Sequence, residues 1–182
     1  MLEIAALNTI PATIQDALLS QATDIFFATA HTKAFDTPEE KKAFLSRWFG
    51  NYAEIEPEAF LLAMNNGEET LGYLAGCTSS FSVKASTITN DIIYYSPEFA
   101  GALRNYPSHF HINVRPVHQG QGVGRQFVAE FKRLCKDAGS DGIHVVTGAS
   151  SRAVKFYERE GFIRFDPWSG AASGLACLVH PL

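Results

Sequence analysis

Gln119-Gly120-Gln121-Gly122-Val123-Gly124 lies between a strand pattern and a helix pattern, and this stretch decides the fold. Before it, residues 108–115 alternate small or apolar side chains with polar ones, at the period of two that is typical of a strand. Pro116 ends that run. After the glycines, apolar residues recur at helical spacing, at Phe127, Val128, Phe131 and Leu134. The sequence therefore predicts a strand, a glycine-rich turn and a helix.

This arrangement directs several main-chain N–H groups at one place, where the helix N-terminus adds a partial positive charge and favours an anion such as a phosphate. A Cβ would hold the phosphate away from the amides, which is why glycine is needed. Two other phosphate motifs fail. A G-x-G-x-x-G count from Gly120 puts the third glycine at Arg125, and Gly124-Arg125-Gln126 is not the G-K-[ST] of a P-loop. A tight turn before a helix is the alternative interpretation.

The pattern Gln-x-x-Gly-x-Gly, from Gln119 to Gly124, resembles motif A of the general N-acetyltransferase (GNAT) superfamily. A second block, residues 150–162, resembles the family segment N-x-x-A-x-x-x-Y-x-x-x-G-F, with matches at Ala153, Tyr157, Gly161 and Phe162. Both blocks stand in the family's order, with a predicted strand over residues 142–147 between them. By this resemblance the chain is identified as a member of the GNAT superfamily.

The resemblance implies that acetyl-coenzyme A is bound as the acyl donor. The positions that it assigns to the diphosphate loop are Gln119, Gly120, Gln121, Gly122, Val123, Gly124 and Arg125. It assigns Ile112 and Val114 to the pantetheine arm, and Ser150, Arg152 and Tyr157 to the second block. Ser150 departs from the family's usual asparagine, and its hydroxyl offers one group where a carboxamide offers two. The placement of the thiol arm is therefore expected to differ from the family norm.

The expected fold class is α/β (α+β), the GNAT fold, with a central mixed sheet of about six to seven strands and about four helices. The resemblance also implies that the cofactor-binding strand parts from its neighbour. We expect a single domain over residues 1–182. The patterns predict a first strand over 2–7 and a helix that is capped by Thr13 and runs to about Ala30. A second helix is predicted to start at Thr37–Glu40 and to stop at Gly50-Asn51. The remaining predicted elements are a hairpin over 59–64 and 70–77 and final strands over 162–165 and 175–179. Residues 78–107 are predicted to be a functional loop or lid.

One face of the strand 108–115 carries polar side chains, at His109, His111, Asn113 and Arg115. A central strand is normally buried, so a row of polar groups there suggests a wet acceptor cavity beside His109 and His111. An imidazole titrates near neutral pH and suits the base that takes a proton from an amine. The resemblance makes Tyr157 the acid for the leaving thiolate. The alternatives are histidines that only satisfy core hydrogen bonds and a tyrosine that only packs against the cofactor.

Composition excludes several classes of protein. The chain has 182 residues and a formal net charge of −4, which argues against a nucleic-acid binder. Cys77, Cys135 and Cys177 are in no metal-ligand spacing, so we expect no metal and reduced thiols. No apolar run approaches the ~20 residues that span a bilayer, and no signal peptide is evident. A cytoplasmic monomer or homodimer that does not bind membranes is expected.

The leading functional hypothesis is an acetyl-CoA-dependent N-acetyltransferase that acts on an amine of a small molecule or a protein by direct attack on the thioester. Residues 106–112 also resemble a GNAT subgroup related to the acetyltransferase-like domain associated with O-GlcNAc hydrolases. The competing hypothesis is therefore a weak or inactive module that binds acyl-CoA or a protein partner. Transfer to oxygen, or of a longer acyl group, is a third. The acceptor cannot be identified from any motif.

Overall fold

A computed structural model describes residues 2–90, 92–166 and 174–182. Seven strands form one mixed sheet, which confirms the predicted fold class. The strands are β1 (Leu2–Ala6), β2 (Phe60–Asn65), β3 (Glu69–Cys77), β4 (Ser108–Val114), β5 (Gly142–Gly148), β6 (Ile163–Phe165) and β7 (Leu175–Pro181). The α-helices are α1 (Ala12–Thr29), α2 (Pro38–Leu45), α3 (Asn51–Ile55), α4 (Ser86–Thr89), α5 (Val123–Asp137) and α6 (Arg152–Arg159).

The sheet has the strand order β1-β2-β3-β4-β5-β7-β6. Strands β1, β2 and β3 are antiparallel neighbours, as the predicted hairpin requires, with Asn66 and Gly67 in left-handed conformations at its turn. Strand β7 is antiparallel to both β5 and β6. Strand β4 is parallel to β5, so the two are joined by the crossover through α5.

The chain divides into two compact units, each with its own buried side chains. The first unit runs to Gly76 and includes His111–Phe131; the second comprises Cys77–Phe110 and Lys132–Leu182. In the first unit, α1 buries Leu18, Ala22, Ile25 and Phe26, at the three- and four-residue spacing of one helix face. In the second unit, the paired strands β5 and β7 each bury a run of consecutive residues.

The first helix begins earlier than predicted. Thr13 was expected to cap it, but Pro11 occupies the N-cap position, no side chain caps the helix, and Thr13 lies inside the first turn. Proline has no N–H and a fixed φ, so it is compatible with a helix start and competes with the threonine for that position. The predicted end, near Ala30, is confirmed, because Ala30 is the C-cap.

The second helix does not stop at Gly50-Asn51, so that prediction is wrong. Thr37 caps α2 as expected, accepting a hydrogen bond from the Glu40 N–H at 3.1 Å. The chain then continues through a π-helical turn, Ser46–Gly50, directly into α3. Gly50 keeps a right-handed helical φ of −62° instead of the left-handed conformation that ends helices. Burial of Phe49 and Tyr52 on this continued path favours helix over termination.

The pairing that the structure describes between β4 and β5 lies within the second unit. It covers Ser108↔Ile143 and His109↔His144. The splayed cofactor-binding strand that the resemblance implies stays a prediction.

Candidate functional site

The glycine-rich turn lies in the first unit, directly before α5. Gly120 and Gly122 have φ values of +78° and +87°, a left-handed conformation that glycine adopts without strain. A Cβ built on either residue would meet no described heavy atom within 4 Å. The turn is therefore open at the two positions where the predicted phosphate contacts need space.

The start of α5 supplies unused hydrogen-bond donors next to this space. The first bond of the helix runs from the Gln126 N–H to the Gly122 carbonyl at 3.1 Å. The main-chain N–H groups of Val123, Gly124 and Arg125 precede it and have no acceptor among the described residues. Arg125 is exposed and adds a cation there. Open glycines, unpaired amides and a positive helix end together fit a diphosphate.

The side chains of the two glutamines in the turn donate hydrogen bonds to main-chain carbonyls of the preceding segment. Gln119 Nε2 donates to the Val114 carbonyl at 3.1 Å, and Gln121 Nε2 donates to the Val117 carbonyl at 2.9 Å. Of the residues predicted to contact the pantetheine arm, Ile112 is half-buried and Val114 is buried. Both lie on β4, after the two residues that are paired with β5.

His111 lies in the first unit among aromatic side chains. Its Nε2 is 3.1 Å from the Tyr52 hydroxyl, and its ring meets the Trp48 ring edge-on with centroids 5.1 Å apart. The π-helical turn and α3 supply these two neighbours. Tyr52 is fully buried, whereas His111 and Trp48 are half-buried. A partly exposed imidazole held by a buried hydroxyl has the properties of an oriented base.

The other polar residues of this strand face also have protein partners. Asn113 donates from Nδ2 to the Tyr73 hydroxyl at 2.7 Å and accepts from Thr29 Oγ1 at 2.8 Å. The Arg115 guanidinium donates to the Thr70 carbonyl from Nε and Nη2, at 3.3 and 3.0 Å. The row is thus hydrogen-bonded within the protein, and a wet cavity along it stays a prediction.

His109 lies in the second unit and is only 4% exposed. The Ser80 hydroxyl donates its one proton to the Pro107 carbonyl at 2.5 Å, since a carbonyl can only accept. Ser80 Oγ must therefore accept at its 2.7 Å contact with His109 Nδ1. This assigns the proton of neutral His109 to Nδ1 and the lone pair to Nε2.

A second buried histidine, His144, stacks against His109 with ring centroids 5.5 Å apart. Its Nδ1 donates to the Tyr106 carbonyl at 2.6 Å, and its Nε2 accepts from the Tyr95 hydroxyl at 2.7 Å. Burial disfavours the imidazolium and lowers the pKa of His144 to about 4, although the bond to Tyr106 opposes this. His144 is therefore a neutral, hydrogen-bonded residue of the core.

The second sequence block, residues 150–162, contains the whole of α6 and lies in the second unit. Ser150 and Arg152 are exposed, and the cap is Ser151, which accepts from the Ala153 N–H at 3.1 Å. Tyr157 is buried, with its ring against Phe110 and Phe162. Burial raises the pKa of Tyr157, so its hydroxyl keeps its proton at neutral pH. That hydroxyl has no hydrogen-bond partner among the described residues.

Sequence reasoning missed five residues that surround the two histidines of β4: Trp48, Tyr52, Ser80, Tyr95 and His144. Tyr52 was hidden because the helix was expected to stop at Gly50-Asn51, whereas Trp48 lay on the predicted helix but no pattern linked it to β4. His144 stands in a predicted strand, and its polar character within that apolar run was a usable signal. Ser80 and Tyr95 lie in the segment 78–107, where no pattern guided the interpretation.

The described residues contain no group of three His, Cys, Asp or Glu side chains placed as metal ligands. All three cysteines are buried without disulfides, and burial raises the pKa of the Cys177 thiol to about 12. Within the ranges that the structure covers, no helix combines the length and apolar character needed to cross a membrane.

Several solved structures share this fold at low sequence identity. The crystal structure of SsHAT matches with a TM-score of 0.73 and 17% identity, over 99% of this chain and 98% of that one. A GNAT-family acetyltransferase from Staphylococcus aureus Mu50 has a TM-score of 0.58 and 14% identity, over 100% and 99%. A chain of the NatC complex bound to Gag peptide and CoA has a TM-score of 0.61 and 15% identity, over 100% and 98%.

The family model described as the acetyltransferase (GNAT) domain matches residues 89–172, a little under half of the chain. This range includes the glycine-rich turn, α5 and the block that contains Tyr157. The structure thus has the GNAT fold, and residues 89–172 match the GNAT acetyltransferase domain.

Proposed function

We propose that this protein is a member of the GNAT superfamily and an acetyl-CoA-dependent N-acetyltransferase. It moves an acetyl group to an amine of a small molecule or a protein by direct attack on the thioester. The observation that carries this proposal is the turn at Gly120 and Gly122, which is open where a Cβ would stand and is followed by three main-chain N–H groups without acceptors among the described residues.

In this proposal the main chain of the turn and of the first residues of α5 binds the diphosphate of acetyl-CoA. Arg125 and Arg152 are both exposed, and each supplies local positive charge for the coenzyme, although the formal net charge of the chain is −4. The edge of β4 at Ile112 and Val114 receives the amide arm, and the absence of these residues from the described register with β5 supports this role. Ser150 donates one hydrogen bond to the same arm.

The amine must lose a proton before or as it attacks, so a base must reach it directly or through water. His111 and His109 are the two candidates, and we assign the role to His111. It is half-buried, with Tyr52 to orient it, whereas His109 is 4% exposed and its Nδ1 is held by Ser80. A wet acceptor cavity would then lie beside His111.

Transfer forms a C–N bond and breaks the C–S bond, and the thiolate that leaves needs a proton. Tyr157 supplies it, because its hydroxyl stays protonated at neutral pH and has no other partner among the described residues. As the amine attacks, the thioester oxygen gains negative charge, and a main-chain N–H near Val114 donates to it. No covalent enzyme intermediate is required, so the buried cysteines have no part in the step.

The resemblance of residues 106–112 to the subgroup related to the O-GlcNAc hydrolase-associated domain supplies the competing function. In that case the chain binds acyl-CoA, or a protein partner, without transfer. Both functions predict coenzyme binding at the turn, and only turnover separates them. For either, we expect a cytoplasmic protein, in keeping with three buried thiols and no disulfide.

Calorimetric titration with coenzyme A tests the binding site. Gly122→Val places side-chain carbons in the open turn, and we expect Kd to rise at least about tenfold, a loss of about 1.4 kcal/mol. Gly139→Val is the matched control, because Gly139 has a similar φ of +73° and equally open surroundings but lies outside the turn. It should lose similar stability through backbone strain and keep its affinity. Unaltered affinity in Gly122→Val would count against the loop assignment.

Release of free thiol in the presence of a panel of amines tests transfer itself. Turnover above the rate without enzyme supports the acetyltransferase, whereas tight coenzyme A binding with no turnover for any amine favours the module. Tyr157→Phe then tests the acid: we expect a lower turnover number with unchanged coenzyme A affinity. An unchanged turnover number removes Tyr157 from that role.

A further inference from the structure

We propose that Gln119 and Gln121 are positioning residues, whose side-chain amides hold the glycine-rich turn in its open shape before any ligand binds. The sequence interpretation made them ligand contacts. The proposal rests on the proposed function for its effect on catalysis, but the shape of the turn can be measured in the protein alone.

The side chains are engaged with the chain segment just before them. Gln119 Nε2 reaches back to the carbonyl of Val114, the last residue of β4, at 3.1 Å. Gln121 Nε2 reaches back to the carbonyl of Val117, in the 3₁₀ turn Pro116–His118, at 2.9 Å. Each hydrogen bond links a side chain of the turn to a main-chain carbonyl four or five residues earlier in the sequence. The donors that would face a phosphate are thereby committed to the backbone.

The segment between β4 and the turn is itself hydrogen-bonded to β3. The two glutamines therefore connect the turn to a part of the chain that is already held in place. The Arg115 N–H donates to the Leu71 carbonyl at 2.8 Å, and its guanidinium donates to the Thr70 carbonyl. His118 Nε2 is 3.8 Å from Glu69 Oε1. Within the first unit, the segment from β4 to α5 is therefore held by contacts with β3 near Arg115 and His118 and by the hydrogen bonds of the two glutamines in the turn.

Bracing is needed because the turn depends on Gly120 and Gly122. Glycine visits left-handed and right-handed conformations almost equally, so an unbraced turn would spend little time in the arrangement that points its amides at one place. A ligand that binds only the competent arrangement has its apparent Kd raised by the inverse of that arrangement's population. The two glutamine bonds raise this population before binding.

The test uses Gln119→Met, Gln121→Met and the double variant, which keep side-chain length and remove the donor. Gln126→Met is the matched control, since this glutamine is exposed on α5 and its side chain has no hydrogen bond among the described residues. Backbone ¹⁵N order parameters of Gly120 and Gly122 are measured without ligand, and coenzyme A affinity by calorimetry. In the double variant we expect order parameters to fall from about 0.85 to below about 0.6, with Kd raised about tenfold.

The two measurements separate the possible roles. Weaker binding with unchanged order parameters would show that the glutamines contact the ligand directly and would overturn the proposal. Mobile glycines with unchanged affinity would overturn the link to binding. If the wild-type protein binds no coenzyme A, the proposed function fails, while the order parameters still decide whether the glutamines brace the turn.

Discussion

His109 and His111 lie two residues apart on one face of β4, yet their surroundings differ. His109 belongs to the second unit, where Ser80 and His144 enclose it and 4% of it is exposed. His111 belongs to the first unit, where it is half-buried against Trp48 and Tyr52. Strand alternation places both on the same face, but only tertiary neighbours decide which imidazole can exchange a proton with a substrate.

The contrast separates two uses of a polar residue in a sheet. Near His109, Ser80, His144 and Tyr95 are hydrogen-bonded within the protein, which stabilises one arrangement of the core. His111 Nε2 contacts the Tyr52 hydroxyl, and the His111 side chain is half-buried, not enclosed. The predictions below test whether the first histidine contributes to stability and the second to chemistry.

The largest effect is expected for His111→Asn. If His111 is the base, kcat should fall about 10²- to 10⁴-fold, because that is the usual contribution of general base catalysis. Thiol release at saturating amine measures it, with His31→Asn, at an exposed position, as the control. The assignment of the base to His111 and not to His109 would be wrong if His109→Asn, in protein that remains folded, lowered kcat as much as His111→Asn does.

A smaller effect, on stability, is expected from His144 as pH falls. Its pKa is about 4 in the folded protein, below the ordinary value of 6.5, so the unfolded chain binds the proton first. The stabilising contribution is complete above pH 6.5 and is lost between pH 6.5 and 4, in total about 3 kcal/mol. Urea unfolding at pH 7 and 4.5 measures this. His144→Asn should remove that part of the pH dependence, and an identical dependence in both proteins would refute it.

Most of the fold could be predicted from local patterns. The alternation of residues 108–115, the helical spacing after Gly124 and the turn at Asn65–Glu68 each correspond to an observed element. The errors at Thr13 and Gly50 arose where the residue type allowed two local structures. At Thr13 the preceding proline set the start of the helix. At Gly50 the burial of Phe49 and Tyr52, which no local pattern contains, favoured continuation.

The candidate site could be predicted only in part. The open turn follows from its glycines, because positive φ and close approach are properties of the residue type. The partners of the histidines do not, since Tyr52 is 59 positions from His111 along the chain and Ser80 is 29 from His109. The roles of Gln119 and Gln121 were equally hidden, because an amide that binds backbone and one that binds phosphate have the same sequence signature.

The smallest effect is expected for Tyr52→Phe, and it sharpens the comparison most. The change removes the hydroxyl 3.1 Å from His111 Nε2 and keeps the buried ring, so the fold should persist. Loss of one orienting hydrogen bond should cost about 1 kcal/mol, which corresponds to roughly a fivefold lower kcat. Tyr106→Phe is the control. Tyr106 binds His144 through its main-chain carbonyl, so removing its hydroxyl leaves that hydrogen bond in place. If Tyr52 orients the base, kcat/KM should also change its pH profile; a loss of stability with an unchanged profile would mean that Tyr52 only packs.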